Sequence, residues 1–226
     1  MNPHTLPMSM SMRMGVGGSG VDLLNGLEHW WDLDGGDASH TDQAGGGWIL
    51  TKSGTITTGS GTGPGGQDTA DFAGGTGDYY ETASVAPMDY YNGFSFSAWF
   101  NADSITGSGN WILNHRSNTT TANYWQCQVR QSDSVFRFAV FDEDSDFQAV
   151  GTEVISTATW YHVVGTHDPT DGTSLYIDSV LDETDTTALG TVSVGSHPFR
   201  IGQMGWSTLG AQDGEVATSD RDWETI

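Results

Sequence analysis

The chain has 226 residues, with seven Lys or Arg against 29 Asp or Glu, and its formal net charge is −22. Because this charge repels phosphate groups, the composition argues against nucleic acids and anionic membrane surfaces as partners. The single cysteine, Cys127, excludes an intrachain disulfide. A globular chain of this length buries enough surface to fold without one.

Residues 1–21 differ in composition from the rest of the chain. Met and Ser alternate over residues 8–14, and Gly and Ser dominate residues 15–20, a composition that predicts a flexible arm. The arm is either a disordered tail or a segment that pairs with the sheet edge or groove of a neighbouring subunit. It lacks the apolar region of a secretory signal peptide, and no apolar run reaches the roughly 18–20 residues of a membrane helix. Unless a leader has been removed, the protein is therefore expected to be made and kept in the cytoplasm.

Residues 22–217 have the composition of β-structure. Apolar and small or polar residues alternate in several short runs, as in half-buried strands. These runs are Phe94–Phe100, Tyr124–Val129, Val135–Phe141, Trp160–Gly165 and Phe199–Gly202. Residues 174–181 predict a hairpin that turns at Asp178-Ser179. Cys127 is predicted to be a core residue, helix is predicted to be scarce, and residues 218–226 form a polar C-terminal tail.

Six segments resemble, in the same order, the motifs of laminin-G-like jelly-roll domains, a concanavalin A-like lectin and glucanase family. The segments are residues 27–34 (its opening strand), 71–80, 94–100, 160–168, 175–181 and 199–202. Two positions depart from the family pattern: Ser179 stands where the family has a hairpin glycine, and the closing strand is reduced to residues 214–217. The resemblance implies an all-β fold, an antiparallel two-sheet jelly-roll β-sandwich, with ligands at the loop rim or the concave face. Family members bind glycans, proteins or calcium, and some relatives hydrolyse glycans.

The sequence contains no pattern that favours catalysis, and we predict no enzymatic activity and no catalytic residues. A glycosidase needs two carboxylates facing one cleft, whereas the acidic run 142–146 is typical of a solvated hairpin turn. No Gly-x-Ser-x-Gly nucleophile elbow occurs. The scattered histidines in or beside strands are interpreted as structural hydrogen-bonding groups.

Calcium is the more plausible metal, because it binds carboxylate and carbonyl oxygens. Asp32, Asp34 and Asp37 flank two glycines, and the resemblance brings the first and last strands close together. Asp213 and Glu215 are therefore candidates to complete a calcium site. The alternative is an ordinary acidic turn.

Sugar binding calls for exposed aromatic side chains beside amides and carboxylates. The loop aromatics are the candidates, and Trp206, within a glycine-rich loop, is the strongest. The predicted ligand-binding residues are Trp206, Tyr90, Tyr91, Trp111 and Trp125. Trp99 and Trp160 lie inside strand patterns and are predicted to be in the core.

Two functional hypotheses follow. In the first, the chain is a non-enzymatic virion protein, such as a phage decoration, fibre or tail component. It would be assembled in host cytoplasm as a homo-oligomer and would contact neighbouring virion subunits or host surface glycan. The motivation is a recognition fold with one thiol, a flexible arm and no secretion signal. In the alternative, it is a glycan-binding module of a bacterial secreted or cell-surface protein.

Overall fold

The computed structural model describes residues 27–44, 46–74, 77–83, 93–105, 110–115, 124–141, 146–187, 198–202 and 213–217. For residues 110, 111, 124, 146, 147 and 213–217 only the backbone is described. These ranges contain strands and turns but no helix, which confirms the all-β prediction. They also contain no helical segment with the length and apolar character needed to cross a membrane.

Fifteen strands are described. In chain order they are β1 (Ser39–Thr41), β2 (Ile49–Ser53), β3 (Ile56–Gly59), β4 (Thr69–Ala73), β5 (Tyr79–Thr82), β6 (Phe94–Ala102), β7 (Asn110–His115), β8 (Tyr124–Arg130), β9 (Val135–Phe141), β10 (Asp146–Val154), β11 (Trp160–Asp168), β12 (Gly172–Ile177), β13 (Val180–Asp185), β14 (Phe199–Ile201) and β15 (Asp213–Ala217). All five predicted strand segments are present, several with extended ends.

The strands form two antiparallel sheets. One has eight strands in the order β1-β2-β5-β14-β7-β8-β9-β10, and the other has seven in the order β13-β12-β11-β6-β15-β4-β3. Their inner faces pack through aromatic rings. Phe96 of the seven-stranded sheet stacks on Trp125 of the eight-stranded sheet, with ring centroids 5.5 Å apart. The molecule is therefore the sandwich that the resemblance implies.

Strand alternation explains which side chains enter the core. In β6, Ala98 and Phe100 are buried, so the intervening Trp99 lies on the outer face of the seven-stranded sheet. Trp160, in register with Asn101, lies on that same face and donates its indole N–H to the Thr62 carbonyl at 2.8 Å. Both tryptophans are half-buried, so the prediction that they are core residues is wrong.

The prediction that residues 27–34 form the opening strand is also wrong. Residues 27–38 pair with no strand, although Trp31 and Leu33 are buried in the core. The backbone is instead held by isolated bonds: the Asp34 N–H donates to the Asp32 carbonyl at 2.7 Å, and the Trp30 N–H donates to the Asp42 carboxylate at 3.1 Å. Apolar spacing alone does not distinguish such a buried irregular segment from a strand.

The hairpin between β12 and β13 turns at Asp178 and Ser179, as predicted. Both residues have positive φ, 49° and 67°, which is the pattern of a type I′ turn. The Asp178 carboxylate also accepts a hydrogen bond from the His162 backbone N–H at 2.8 Å. The turn is therefore anchored to the neighbouring strand β11.

The short closing strand β15 lies inside the seven-stranded sheet, between β4 and β6. The arm at residues 1–21 and the tail at 218–226 lie outside the described residues. The boundaries predicted for them therefore stay predictions.

Candidate functional site

The outer face of the eight-stranded sheet carries a row of polar side chains in register, which we call the amide row. Strand pairing aligns its members across β5, β14, β7, β8, β9 and β10. In that order they are Glu81, Arg200, Asn114, Gln126, Ala139 and Gln148. Five of the six carry hydrogen-bonding groups.

The alternation of β8 explains why two glutamines point away from the core. Trp125 and Cys127 are buried against the opposite sheet, so Gln126 and Gln128 project from the other face. Gln128 lies in register with Arg137 and extends the polar surface beside the row.

The centre of the amide row is shielded from solvent. Asn114, Gln126 and Gln128 are 0%, 2% and 5% exposed, and the Gln128 Oε1 has no hydrogen-bond partner among the described residues. A buried amide oxygen without a partner costs about 1–3 kcal/mol. Gln128, beside the centre of the row, thus has an acceptor oxygen that no described group uses.

The β5 end of the row is half-exposed and charged. The Arg200 guanidinium donates to Glu81 Oε2 from Nε at 3.0 Å, and its Nη2 lies 2.9 Å from the same oxygen. The guanidinium carbon also lies 4.5 Å from the centre of the Tyr79 ring. A planar cation on an aromatic ring beside a carboxylate offers donors, acceptors and an apolar face together.

The other end of the row has similar chemistry. The Arg137 guanidinium lies 5.6 Å from the centre of the Phe141 ring, and Gln148 is half-buried on the neighbouring strand β10. The amide row therefore has an arginine on an aromatic ring near each end and amides between them.

The predicted aromatic contact residues have different outcomes. Trp125 is 3% exposed and packs between the sheets, so its prediction as a ligand contact is wrong. Trp111 lies in β7 in register with Gln128 of the polar surface. Tyr90, Tyr91 and Trp206 lie outside the described residues, so their roles stay predictions.

A second cluster brings together two of the predicted metal ligands. One ligand atom each of Asp32, Asp34 and His40 lies within 4.8 Å of the others, and these three form the one such group in the described part of the chain. His40 was not predicted. It is 4% exposed, and its Nδ1 lies 3.9 Å from Asp34 Oδ1.

Among the described residues, the cluster does not include the other predicted calcium ligands, Asp37, Asp213 and Glu215. The Asp37 carbonyl accepts a hydrogen bond from the Tyr80 hydroxyl at 2.8 Å. Asp213 and Glu215 lie in β15. The 32–37 loop contacts Thr58 of β3, and β4 lies between β3 and β15 in the sheet. Calcium binding by these five residues stays a prediction.

Known proteins share this architecture. The binding domain of Paraclostridial Mosquitocidal Protein 1 has 13% sequence identity and a TM-score of 0.61, with 84% of this chain and 48% of that chain covered. The serotype D botulinum neurotoxin ligand-binding domain, solved with N-acetylneuraminic acid, has 14% identity and a TM-score of 0.60, with 85% and 48% covered. This chain therefore spans about half the length of those two toxin domains.

A third structure is similar over most of its own length. Domain 4 of AbnA, a GH43 extracellular arabinanase from Geobacillus stearothermophilus, was solved in complex with arabinotriose. It has 15% identity and a TM-score of 0.57, with 82% of this chain and 84% of that chain covered. At these identities the likeness shows the fold alone.

Comparison with curated protein sequences gave no significant match. A sequence model of the Concanavalin A-like lectin/glucanases superfamily, in contrast, matches residues 74–218. The match covers more than half of the chain and runs from the end of β4 to just beyond β15. The chain belongs to the concanavalin A-like lectin/glucanase superfamily.

Proposed function

We propose that this chain is a non-catalytic lectin-like module that binds glycan at the half-exposed ends of the amide row of its eight-stranded sheet. The observation that carries the proposal is the alignment of Glu81, Arg200, Asn114, Gln126 and Gln148 across neighbouring strands. Amide and guanidinium groups pair with sugar hydroxyls as both donors and acceptors.

The half-exposed ends of the row supply the first contacts with ligand. The face of Tyr79 and the Arg200–Glu81 pair form one polar and apolar surface, and Arg137 with Phe141 forms the other. The similar domains from the arabinanase and the neurotoxin were solved with an arabinose oligomer and an acidic sugar, respectively. Both compounds are therefore informative probes for this chain.

The test is a glycan array followed by calorimetry with the best ligand, arabinotriose and N-acetylneuraminic acid being included. We expect Arg200→Gln and Gln148→Ala each to weaken binding at least about tenfold, as the loss of one charged or buried hydrogen bond does. Ser95→Ala is the matched control, because Ser95 is exposed on the outer face of the other sheet. Thermal unfolding of each variant separates lost contacts from lost structure.

Two results would contradict the proposal. One is a folded protein that binds no glycan on the array. The other is a bound glycan whose affinity is unchanged in both Arg200→Gln and Gln148→Ala, which would place the ligand elsewhere on the sandwich.

The setting in which the module works is a separate proposal. A virion component and a module of a bacterial secreted or surface protein would both use the same glycan-binding face. The virion setting is supported by the Met/Ser and Gly/Ser composition of residues 1–21. Its homo-oligomeric state is tested in the Discussion.

A further inference from the structure

We propose that Asp32, Asp34 and His40 form a binding site for a transition-metal ion of the zinc type. Their ligand atoms lie within 4.8 Å of one another. Ligands of a tetrahedral zinc ion, each about 2.0–2.2 Å from the metal, are about 3.3–3.6 Å apart, so the three ligand atoms would have to approach one another by up to roughly 1.5 Å. Small side-chain rotations therefore suffice to bring all three onto one ion.

The backbone fixes the two carboxylates beside each other. The Asp34 N–H donates to the Asp32 carbonyl at 2.7 Å, which closes a three-residue turn. Leu33, at the centre of the turn, is buried in the core and anchors it from the inside. The cluster is thus held by packing and by a main-chain bond.

The histidine is the observation that points to a ligand. Its ring is buried against Tyr80, with ring centroids 4.9 Å apart, and Nε2 has no hydrogen-bond partner in the described ranges. Nδ1 faces Asp34 Oδ1 at 3.9 Å, which is too far for a hydrogen bond. A buried imidazole beside two carboxylates, with its Nε2 unpaired among the described residues, gains free energy if it coordinates a cation.

The ligand atoms of the cluster favour a zinc-type ion over calcium. Calcium prefers six to eight oxygen ligands, whereas the cluster supplies two carboxylates and one imidazole nitrogen. Imidazole suits zinc, copper and nickel, and two Asp with one His leave a fourth position for water. The Asp34 side chain is 63% exposed, so water and the ion have access.

The neighbouring positive charge, the Lys52 side chain, already has hydrogen-bond partners. The Lys52 ammonium donates to the carbonyls of Gly36 and Ile56, so its nearest described partners are main-chain groups. A bound ion would link the 32–34 turn to β1 and stabilise the folded chain, since a ligand that binds only the folded state raises its stability.

The experiment uses the full chain after chelator treatment and dialysis. Calorimetry and thermal unfolding are measured with Zn²⁺, Co²⁺ and Ca²⁺, and the visible absorption of Co²⁺ reports its coordination. We expect one Zn²⁺ per chain at the cluster, a rise in Tm of several degrees, and a weaker response to Ca²⁺. Asp34→Asn and His40→Gln should lose the Zn²⁺ effect. Asp37→Asn is the control, because this neighbouring carboxylate is not part of the cluster.

The site is overturned if Zn²⁺ leaves Tm unchanged, or if its effect persists in Asp34→Asn. Because Asp34 is exposed, that variant should fold and remain informative even if His40→Gln does not. A Ca²⁺ response stronger than that of Zn²⁺ would overturn the choice of ion. Glycan binding is assayed in parallel, because the amide row is separate and its failure would leave this inference intact.

Discussion

Ser97 Oγ lies 2.8 Å from His162 Nε2 on the outer face of the seven-stranded sheet. Burial lowers the pKa of the His162 imidazole, and the nearby charge of Asp178 opposes that effect. The Asp178 carboxylate bonds the backbone N–H of His162. The arrangement positions a neutral histidine between β6 and the β12–β13 hairpin.

The first prediction concerns pH. The folded pKa of His162 lies below its ordinary value of 6.5, so the unfolded chain binds the proton more readily. The contribution of His162 to stability is therefore complete above pH 6.5 and declines as the pH falls through that value. Wild-type Tm should drop between pH 7.5 and 5.5, and His162→Gln should reduce the drop. Burial also lowers the pKa of His167, so part of the drop remains.

Ser97→Ala is the control for this measurement. It removes the hydrogen bond but leaves the imidazole to titrate, so stability should fall by about 1 kcal/mol at both pH values. A pH dependence that His162→Gln leaves unchanged would assign the titration to other groups.

The second prediction concerns Asp42, which ties the irregular segment 27–34 to the loop before β2. Its carboxylate lies 2.7 Å from His29 Nδ1 and accepts from the backbone N–H groups of Trp30 and Ala44 at 3.1 and 2.9 Å. Asp42→Ala leaves these donors without their acceptor and should cost about 1–3 kcal/mol. Urea unfolding measures this, with the exposed Glu28→Ala as control. Equal urea unfolding midpoints for Asp42→Ala and Glu28→Ala would contradict this prediction.

The third prediction concerns Ser179, which has a φ of 67° in the β12–β13 turn. Glycine adopts this conformation without steric cost, so Ser179→Gly should raise the free energy of unfolding by up to about 1 kcal/mol. Ser179→Ala keeps a Cβ at the same φ and should bring no gain. The prediction fails if thermal unfolding ranks the glycine variant no higher than the alanine variant.

The fourth prediction concerns the arm. If residues 1–20 dock on a neighbouring subunit, light scattering should show a discrete multimer for the full chain and a smaller species after their deletion. The multimer would favour a particle component. A monomer in both cases would instead favour a free glycan-binding module.

Local alternation of apolar and polar residues predicts the strands, and in β8 it also predicts which side chains leave the core. The pattern that places Cys127 in the core also places Trp125 there, since the two residues lie on one face of β8. The same pattern puts Gln126 and Gln128 on the other face. The alignment of Gln126 with Arg200 depends on β14 pairing with β7, a long-range contact that strand patterns do not reveal.

The metal cluster, too, could be predicted from the sequence only in part. Asp32 and Asp34 form a recognisable local pattern, whereas His40 joins them only because β1 begins beside the turn. The segment 27–34 has the apolar spacing of a strand but lacks a pairing partner, so its backbone bonds locally. Both the place of His40 in the cluster and the irregular backbone of residues 27–34 depend on which segments lie beside them, and residue types alone do not reveal this.

The position of β15 has a consequence for how the chain folds during synthesis. Until residues 213–217 leave the ribosome, β4 and β6 present two open edges that only this late segment can join. Closing them requires contacts across more than 100 residues of sequence, which slows folding. In the meantime the nascent sandwich exposes hydrogen-bonding edges to other chains. Chaperone dependence and aggregation should therefore be concentrated in products truncated before residue 213.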